Sequence, residues 1–136
     1  MNKSQLIELA SSVRNSAYTP YSKFKVGAAV LMKSGKIYTG CNIENAAYPV
    51  TICAERVAIF KAISEGEYDF DQLAVVADTD RPVPPCGSCR QVLSEFLHAD
   101  TFIHTSNLEH DVKTVTMEEL LPFSFHASDM NRTKND

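Results

Sequence analysis

Three cysteines and one glutamate, divided between two well-separated segments, carry the clearest chemistry in the sequence. In TICAERVAIFKAI, Cys53 stands two residues before Glu55 at the start of an amphipathic helix, and in VPPCGSCRQVL, Cys86 and Cys89 stand at another helix start. One helical turn brings two thiolates at this spacing to the same metal ion. With Cys53 they make three thiolate ligands, which leaves one position open, as in catalytic zinc sites. A tetrahedral thiolate site favours zinc over other metals.

Glu55 separates a catalytic site from a structural one. It can lean over the open position, take a proton from a metal-activated water and pass it to a leaving group. The simpler explanation is a first-turn acid favoured by the helix dipole, which accounts for Glu55 but not for the neighbouring cysteine. Three alternatives stay open at this point: a redox pair, packed core thiols, and a structural zinc closed by Cys41 as fourth ligand.

Three thiolates on a dication leave the site negatively charged, so positive counterweights are expected. Backbone N–H groups at the two helix N-termini favour sulfur anions. Arg56 follows Glu55 directly and is predicted to hydrogen-bond the thiolates from outside the ligand set. Arg90 can do the same or face solvent. Cys41 is expected to be a buried small hydrophobe, and the four histidines show no spacing that would recruit them as ligands.

The elements that must position these residues follow from hydrophobic periodicity and turn signals. Helices are predicted over residues 5–17 with Ser4 as N-cap, 53–64, 86–97 and 117–121, and strands over 24–32, 37–41, 72–78, 101–106 and 112–115. This order predicts an α/β fold, a three-layer α/β/α domain around a mixed five-stranded sheet. We expect a single domain over residues 1–127 and a polar C-terminal tail over 128–136.

Composition restricts the partners and the compartment. The 136 residues suit one domain, and a formal net charge of -4 disfavours a nucleic-acid partner. The N-terminus has no continuous apolar segment of the signal-peptide kind, and no apolar run approaches the length of a membrane span. Four cysteines without a secretory signal favour free thiols or metal ligands in a reducing compartment. We therefore expect a cytoplasmic protein with neither nucleic-acid nor membrane partners.

The combination C-A-E-R and P-C-G-S-C-R-Q resembles the zinc-dependent cytidine deaminase superfamily in its three-cysteine form. YSKFKVGAAV, GCNIENAAYP and the ELLP-x-x-F segment resemble the small nucleoside deaminases, so the likeness covers nearly the whole chain. It implies one zinc per subunit, held by the three cysteines. It also implies that water attacks the pyrimidine carbon bearing the amine while Glu55 moves the protons. Cytidine and deoxycytidine would become uridine and deoxyuridine, with release of ammonia, in pyrimidine salvage.

The resemblance also implies how substrate is held. It assigns Asn42 and Glu44 to the ribose and Phe24 to stacking on the base. Backbone groups near Ala54 would read the pyrimidine edge. Phe125 would enter the active site of a neighbouring subunit, and Tyr48 would reach across the same interface. Such shared sites imply a homotetramer. Taken alone, NIEN predicts only a polar turn and Phe24 only core packing.

Two alternative functions remain. One is a related deaminase acting on another aminated base, such as a nucleoside antibiotic or a base in RNA. The other is a structural zinc module that mediates protein contacts. The NIEN and Phe24 contexts favour a free nucleoside.

Overall fold

A mixed five-stranded sheet forms the centre of the chain in this computed structural model, which describes residues 1–130. The strands are β1 Val26–Met32, β2 Ile37–Cys41, β3 Phe70–Ala77, β4 Phe102–Ser106 and β5 Val112–Thr116. The helices are α1 Lys3–Val13, α2 Ala54–Ser64, α3 Gly87–Phe96 and α4 Met117–Leu120. The strand order is β2-β1-β3-β4-β5, with β3 and β4 parallel and the other neighbours antiparallel. The predicted α/β fold with a mixed five-stranded sheet is confirmed.

The sheet is covered on both faces, which explains the continuous apolar character of its central strands. In β1, Ala28, Val30 and Met32 pack with α2 and α3, whereas Ala29 and Leu31 pack with α1. Alternate strand residues point to opposite faces, so an uninterrupted apolar run is what two helical layers require. The three-layer arrangement therefore places α2 and α3, the two cysteine-bearing helices, on the same side of the sheet.

Several element boundaries differ from the predicted ones, among them the end of α1 at Val13 rather than residue 17, and two of these differences have identifiable reasons. The N-cap of α1 is Asn2 rather than Ser4, because Asn2 and Gln5 form a reciprocal capping box with two 3.0 Å hydrogen bonds. The first sheet strand starts at Val26 rather than Phe24. The side chain of Asn42 binds the backbone on both sides of this point, accepting from Val26 N and donating to Phe24 O.

Gly40 lets α2 lie directly on β2. A Cβ at this position would stand 2.6 Å from the carbonyl oxygen of Ala54, the first residue of α2. A side chain would therefore push the helix start, with Cys53 and Glu55, away from the sheet. Gly40 thus contributes to the placement of the site through packing rather than through unusual backbone dihedrals.

The predicted domain boundary after residue 127 stays a prediction. Ala127–Met130 form a short 3₁₀ helix, and the remainder of the expected polar tail, residues 131–136, lies outside the described residues. Within residues 1–130, no helix combines the length and apolar character needed to cross a membrane.

Candidate active site

The starts of α2 and α3 bring the three predicted thiols together. Cys53 is the N-cap of α2, Cys86 is the N-cap of α3, and Cys89 lies in the first turn of α3. Their sulfur atoms all lie within 4.8 Å of one another. Three converging thiols are a donor set that suits zinc, so the residues present fit the predicted metal.

Cys41 does not join this group. Within residues 1–130, Cys53, Cys86 and Cys89 are the only set of potential ligands that meets at one point. Cys41 is half-buried, so the expectation of a buried thiol is wrong. The reason is its place at the end of β2, an edge strand with a neighbour on one side only. The three-thiol arrangement therefore disfavours the structural zinc module closed by Cys41.

Arg56 lies against the thiols, as predicted. Its Nη2 donates to Cys53 Sγ at 3.6 Å, and the Cys89 and Cys53 sulfurs raise the pKa of the guanidinium above its ordinary value. The buried Nε of Arg56 has no hydrogen-bond partner among the described residues. A cation fixed beside the sulfurs partly offsets the negative charge of three thiolates.

The half-buried thiol of Cys53 and the buried thiol of Cys89 differ in their readiness to ionise. Hydrogen bonding from Cys89 and Arg56 lowers the pKa of Cys53 to about 5, although burial opposes this shift. The same Cys89–Cys53 hydrogen bond, together with burial, raises the pKa of Cys89. The surroundings of Cys53 therefore favour its thiolate form, which is the form that binds metal.

Glu55 is a buried acid beside the thiols. Only 5% of its surface is exposed, and it lines the same cavity as Cys53 and Cys86. Burial raises the pKa of Glu55 to about 7, with a smaller contribution in the same direction from Cys53. A carboxyl group that exchanges its proton near neutral pH suits general acid–base chemistry.

The cavity above Glu55 has a volume of about 250 Å³ and mainly apolar walls. Phe24, Asn42 and Ala54 line it, as the predicted substrate contacts require. Sequence reasoning did not assign the opposite wall, which is formed by Val83, Pro84, Pro85 and the end of β3. The proline-rich segment directly before Cys86 was an available signal for that wall.

Asn42 has a structural role that the sequence did not reveal. Its Oδ1 accepts from Val26 N at 2.9 Å and its Nδ2 donates to Phe24 O at 2.8 Å. Asn42 thereby holds the backbone from which Phe24, which is 42% exposed, projects at the cavity. One proton on Nδ2 and one lone pair on Oδ1 remain for a ligand.

Glu44 faces a neighbouring cleft rather than the cavity. Its carboxylate accepts from the backbone N–H groups of Tyr21 and Ser22, each at 3.1 Å, and from the Ser22 hydroxyl. The Ser22 hydroxyl is the main cause of the lowered pKa of Glu44. Tyr48 lines this cleft as well, packed edge-on against Tyr21, and Thr51 borders both spaces.

Phe125 does not line the cavity of its own chain. Its side chain is 57% exposed, and its carbonyl oxygen accepts from Gln91 Nε2 at 3.1 Å. Arg90 follows neither of its two predicted roles. It is half-buried, and no hydrogen bond to a thiol is found for it among the described residues; its guanidinium binds two backbone carbonyls.

The histidines take no part in the site. His104 is buried in the sheet, where its ring nitrogens hydrogen-bond Thr114 and Gln72 at 2.8 Å each. His98, His110 and His126 are exposed. None belongs to the metal-ligand group found in the described part of the chain.

Comparison with known proteins agrees with this geometry. Residues 1–105 match the model of the cytidine and deoxycytidylate deaminase zinc-binding region. The chain is 56% identical to a cytidine deaminase of Halalkalibacterium halodurans, across 96% of this chain and 99% of the relative. It is 50% identical to a cytidine deaminase of Sporosarcina psychrophila, across 96% of each.

A solved structure gives the same result for the fold. The crystal structure of cytidine deaminase from Burkholderia pseudomallei matches with a TM-score of 0.90 and 43% identity, over 92% of this chain and all of that one. The family match and the relatives are consistent with three thiols and a buried glutamate meeting at two helix starts. The chain therefore belongs to the zinc-binding cytidine and deoxycytidylate deaminase family.

Proposed function

We propose that the protein deaminates cytidine and deoxycytidine hydrolytically, giving uridine and deoxyuridine and releasing ammonia, in pyrimidine salvage. The observation that carries this proposal is the buried Glu55 beside three converging thiols at one small cavity. Neither alternative is favoured. The two relatives described above, which are 56% and 50% identical to this chain, are cytidine deaminases, and Cys41 lies outside the thiol group of the described residues.

Proton transfer is the task of Glu55 in this proposal. Zinc held by Cys53, Cys86 and Cys89 would supply Lewis acidity, which makes water a better nucleophile. Glu55 accepts a proton from the attacking water and delivers it to the ring nitrogen. It then accepts the proton of the added hydroxyl group, as the carbonyl forms, and delivers it to the amine, which departs as ammonia. A pKa of about 7 suits both directions of transfer near neutral pH. Its low exposure keeps bulk water from competing for these protons.

Arg56 limits the negative charge around the metal. Its contact with Cys53 withdraws electron density from a ligand sulfur, so the three-thiolate site keeps more of its Lewis acidity. The first-turn N–H groups of α2 and α3 act in the same direction, since both ligand-bearing N-caps leave them free of side-chain bonds.

Substrate recognition is assigned to two adjoining spaces. Phe24 offers an exposed ring for stacking on the pyrimidine, and the backbone at Ala54 offers hydrogen bonds to its edge. Asn42 retains one donor and one acceptor for the ribose. Glu44 borders the next cleft, which Thr51 connects to the cavity, so a ribose extending from the base would approach its carboxylate.

We propose further that the active sites are shared in a homotetramer. Tyr48 and Phe125, the residues assigned to this sharing, are 69% and 57% exposed, so both side chains are accessible to a partner subunit. The open cleft beside Tyr48 has a volume of about 370 Å³ and would accept an aromatic side chain. Sedimentation analysis of Phe125→Ala and Tyr48→Ala, with KM for cytidine, tests this assignment.

A cytoplasmic location fits the cysteine chemistry. Three neighbouring thiols must stay reduced to bind metal, and a reducing compartment maintains that state.

The direct test of function is the ultraviolet absorbance change on mixing zinc-loaded protein with cytidine or deoxycytidine, with adenosine as control. Conversion of both pyrimidine nucleosides, lost on chelation and restored by zinc, is the expected result. A folded, zinc-loaded protein that converts neither nucleoside would refute the proposal and direct the search to other aminated bases.

A further inference from the structure

Arg90 connects the turn before Cys86 to the end of α4, and its hydrogen bonds go to backbone carbonyls rather than to a thiol. Its Nε donates to the carbonyl oxygen of Pro85 at 2.8 Å, and its Nη1 donates to the carbonyl oxygen of Leu120 at 2.9 Å. The guanidinium is rigid and planar, so it holds the two carbonyl groups at a fixed separation. It is also half-buried, which strengthens these charge-assisted hydrogen bonds relative to those of an exposed arginine.

The first of these carbonyls lies at a sensitive position. Pro85 immediately precedes Cys86, and both residues line the cavity. Cys86 is an N-cap whose side chain makes no capping hydrogen bond, so the cap does not fix its own orientation. Its carbonyl instead accepts from the backbone N–H of Arg90 at 2.9 Å. One residue therefore holds the chain on both sides of this sulfur.

The second carbonyl belongs to the last residue of α4, where the chain leads towards Phe125. Gln91, the next residue of α3, donates to the carbonyl of Phe125. Arg90 and Gln91 thus both bind the C-terminal segment, here residues 117–125, to α3. Only Arg90 also contacts the turn that leads into Cys86.

We propose that Arg90 is a positioning residue, which fixes Cys86 and the adjoining cavity wall by tying Pro85 to the end of α4. Side chains that orient metal ligands from outside the ligand set typically contribute about 10- to 100-fold to metal affinity or activity. Loss of Arg90 would let the turn before Cys86 move, which weakens metal retention and misplaces the wall formed by Pro84 and Pro85.

The test compares three variants that each lose one long polar side chain. Arg90→Met removes both bonds, and Gln91→Met removes only a bond to the C-terminal segment. Lys61→Met is the matched control, because Lys61 Nζ donates to the carbonyl of Thr39 at 2.7 Å from the far end of α2. The first readout is the rate at which zinc-loaded protein releases zinc to a chromogenic chelator. The second is KM and kcat for cytidine.

Zinc release from Arg90→Met should be about tenfold faster or more, with a raised KM. Gln91→Met and Lys61→Met should release zinc at the wild-type rate. Arg90→Lys should lie between Arg90→Met and wild type, because one ammonium group replaces only part of a bridge between two carbonyls. If Arg90→Met fails to fold, Arg90→Lys supplies the comparison.

The proposal would be overturned if Arg90→Met released zinc at the wild-type rate. It would also be overturned if Gln91→Met released zinc as fast as Arg90→Met. The second outcome would mean that anchoring the C-terminal segment alone explains the effect. The measurement of KM for cytidine rests on the proposed function, whereas the measurement of zinc release does not. A wild-type protein that binds zinc but does not deaminate cytidine would therefore refute the proposed function. The zinc-release rates would still test the role of Arg90.

Discussion

The four α-helices found within residues 1–130 begin in two different ways. Both α1 and α4 start with full capping boxes, formed by Asn2 with Gln5 and by Thr116 with Glu119. Both α2 and α3 start with a cysteine N-cap whose side chain makes no capping hydrogen bond to its own helix. A good N-cap side chain typically contributes about 1 kcal/mol to stability. The site-bearing helices lack this contribution and instead present sulfur ligands to a common point.

The comparison shows that the requirements of chemistry and of helix stability fall on the same positions. An N-cap has extended backbone dihedrals and lies where the free N–H groups and the helix dipole favour an anion. Serine would satisfy the N–H groups, whereas a thiolate uses the same field to become a metal ligand. The free N–H groups at these two helix starts, which lack a conventional cap, therefore stabilise the thiolates of the site.

Replacing Cys86, the exposed N-cap of α3, should have the largest effect on the difference between the two kinds of helix start. Cys86→Ser should abolish zinc retention and deamination, since it removes one of three ligands. In metal-free form, however, it should be about 0.5 to 1 kcal/mol more stable than metal-free wild type, because serine can cap α3. Urea unfolding after chelation measures the stability, and metal analysis measures zinc.

Cys41→Ser is the control for that experiment, because this thiol lies apart from the metal group found within residues 1–130. It should retain zinc and activity. Loss of zinc from Cys41→Ser would support the alternative of a structural zinc site with Cys41 as its fourth ligand.

The buried acid of α2 should make metal-free stability depend on pH. A carboxyl with a raised folded-state pKa contributes stability that is complete below its unfolded value of 4.5 and is lost as pH rises through about 7. Metal-free Glu55→Gln should therefore gain stability over metal-free wild type as pH rises across this range, by about 3 kcal/mol in total. Urea unfolding at several pH values measures the difference, and an offset that does not change with pH would contradict it.

Removing a conventional cap should instead cause a loss of stability that does not depend on pH. Thr116→Ala removes the side chain that accepts from Glu119 N, so the free energy of unfolding should fall by about 1 kcal/mol. No titratable group is changed, so the loss should be the same across the pH range used for Glu55→Gln. Zinc retention should be unaffected. Zinc loss from this variant would show that α4 and the metal site are more tightly coupled than the capping box implies.

The sequence predicts the parts of the site that depend on local spacing. Cys53 and Glu55 share one helix start, and Cys86 and Cys89 share another, so helical geometry alone relates each pair. The sheet is similarly predictable, since the apolar run of β3 requires cover on both faces. The resemblance to a known family adds the substrate contacts, which short polar motifs such as NIEN cannot specify.

What the sequence could not give are contacts between distant segments. Glu44 turns towards the Tyr21–Ser22 backbone, and Arg90 reaches the end of α4, because donors and acceptors far apart in the chain meet only after folding. Either arginine after a ligand could have faced the thiols, yet only Arg56 does so among the described residues. The cap of α1 is encoded locally by Asn2 and Gln5, although Ser4 is also a residue type that favours N-caps.

At the two helix starts that lack a side-chain cap, three cysteines hold zinc and Glu55 moves protons, so metal binding and proton transfer belong to different residues. Metal analysis and cytidine turnover on one preparation of Glu55→Gln test it most directly. The account predicts a folded protein with one zinc per subunit and activity lowered by at least about a hundredfold. Near-normal turnover, or loss of zinc together with activity, would contradict this division.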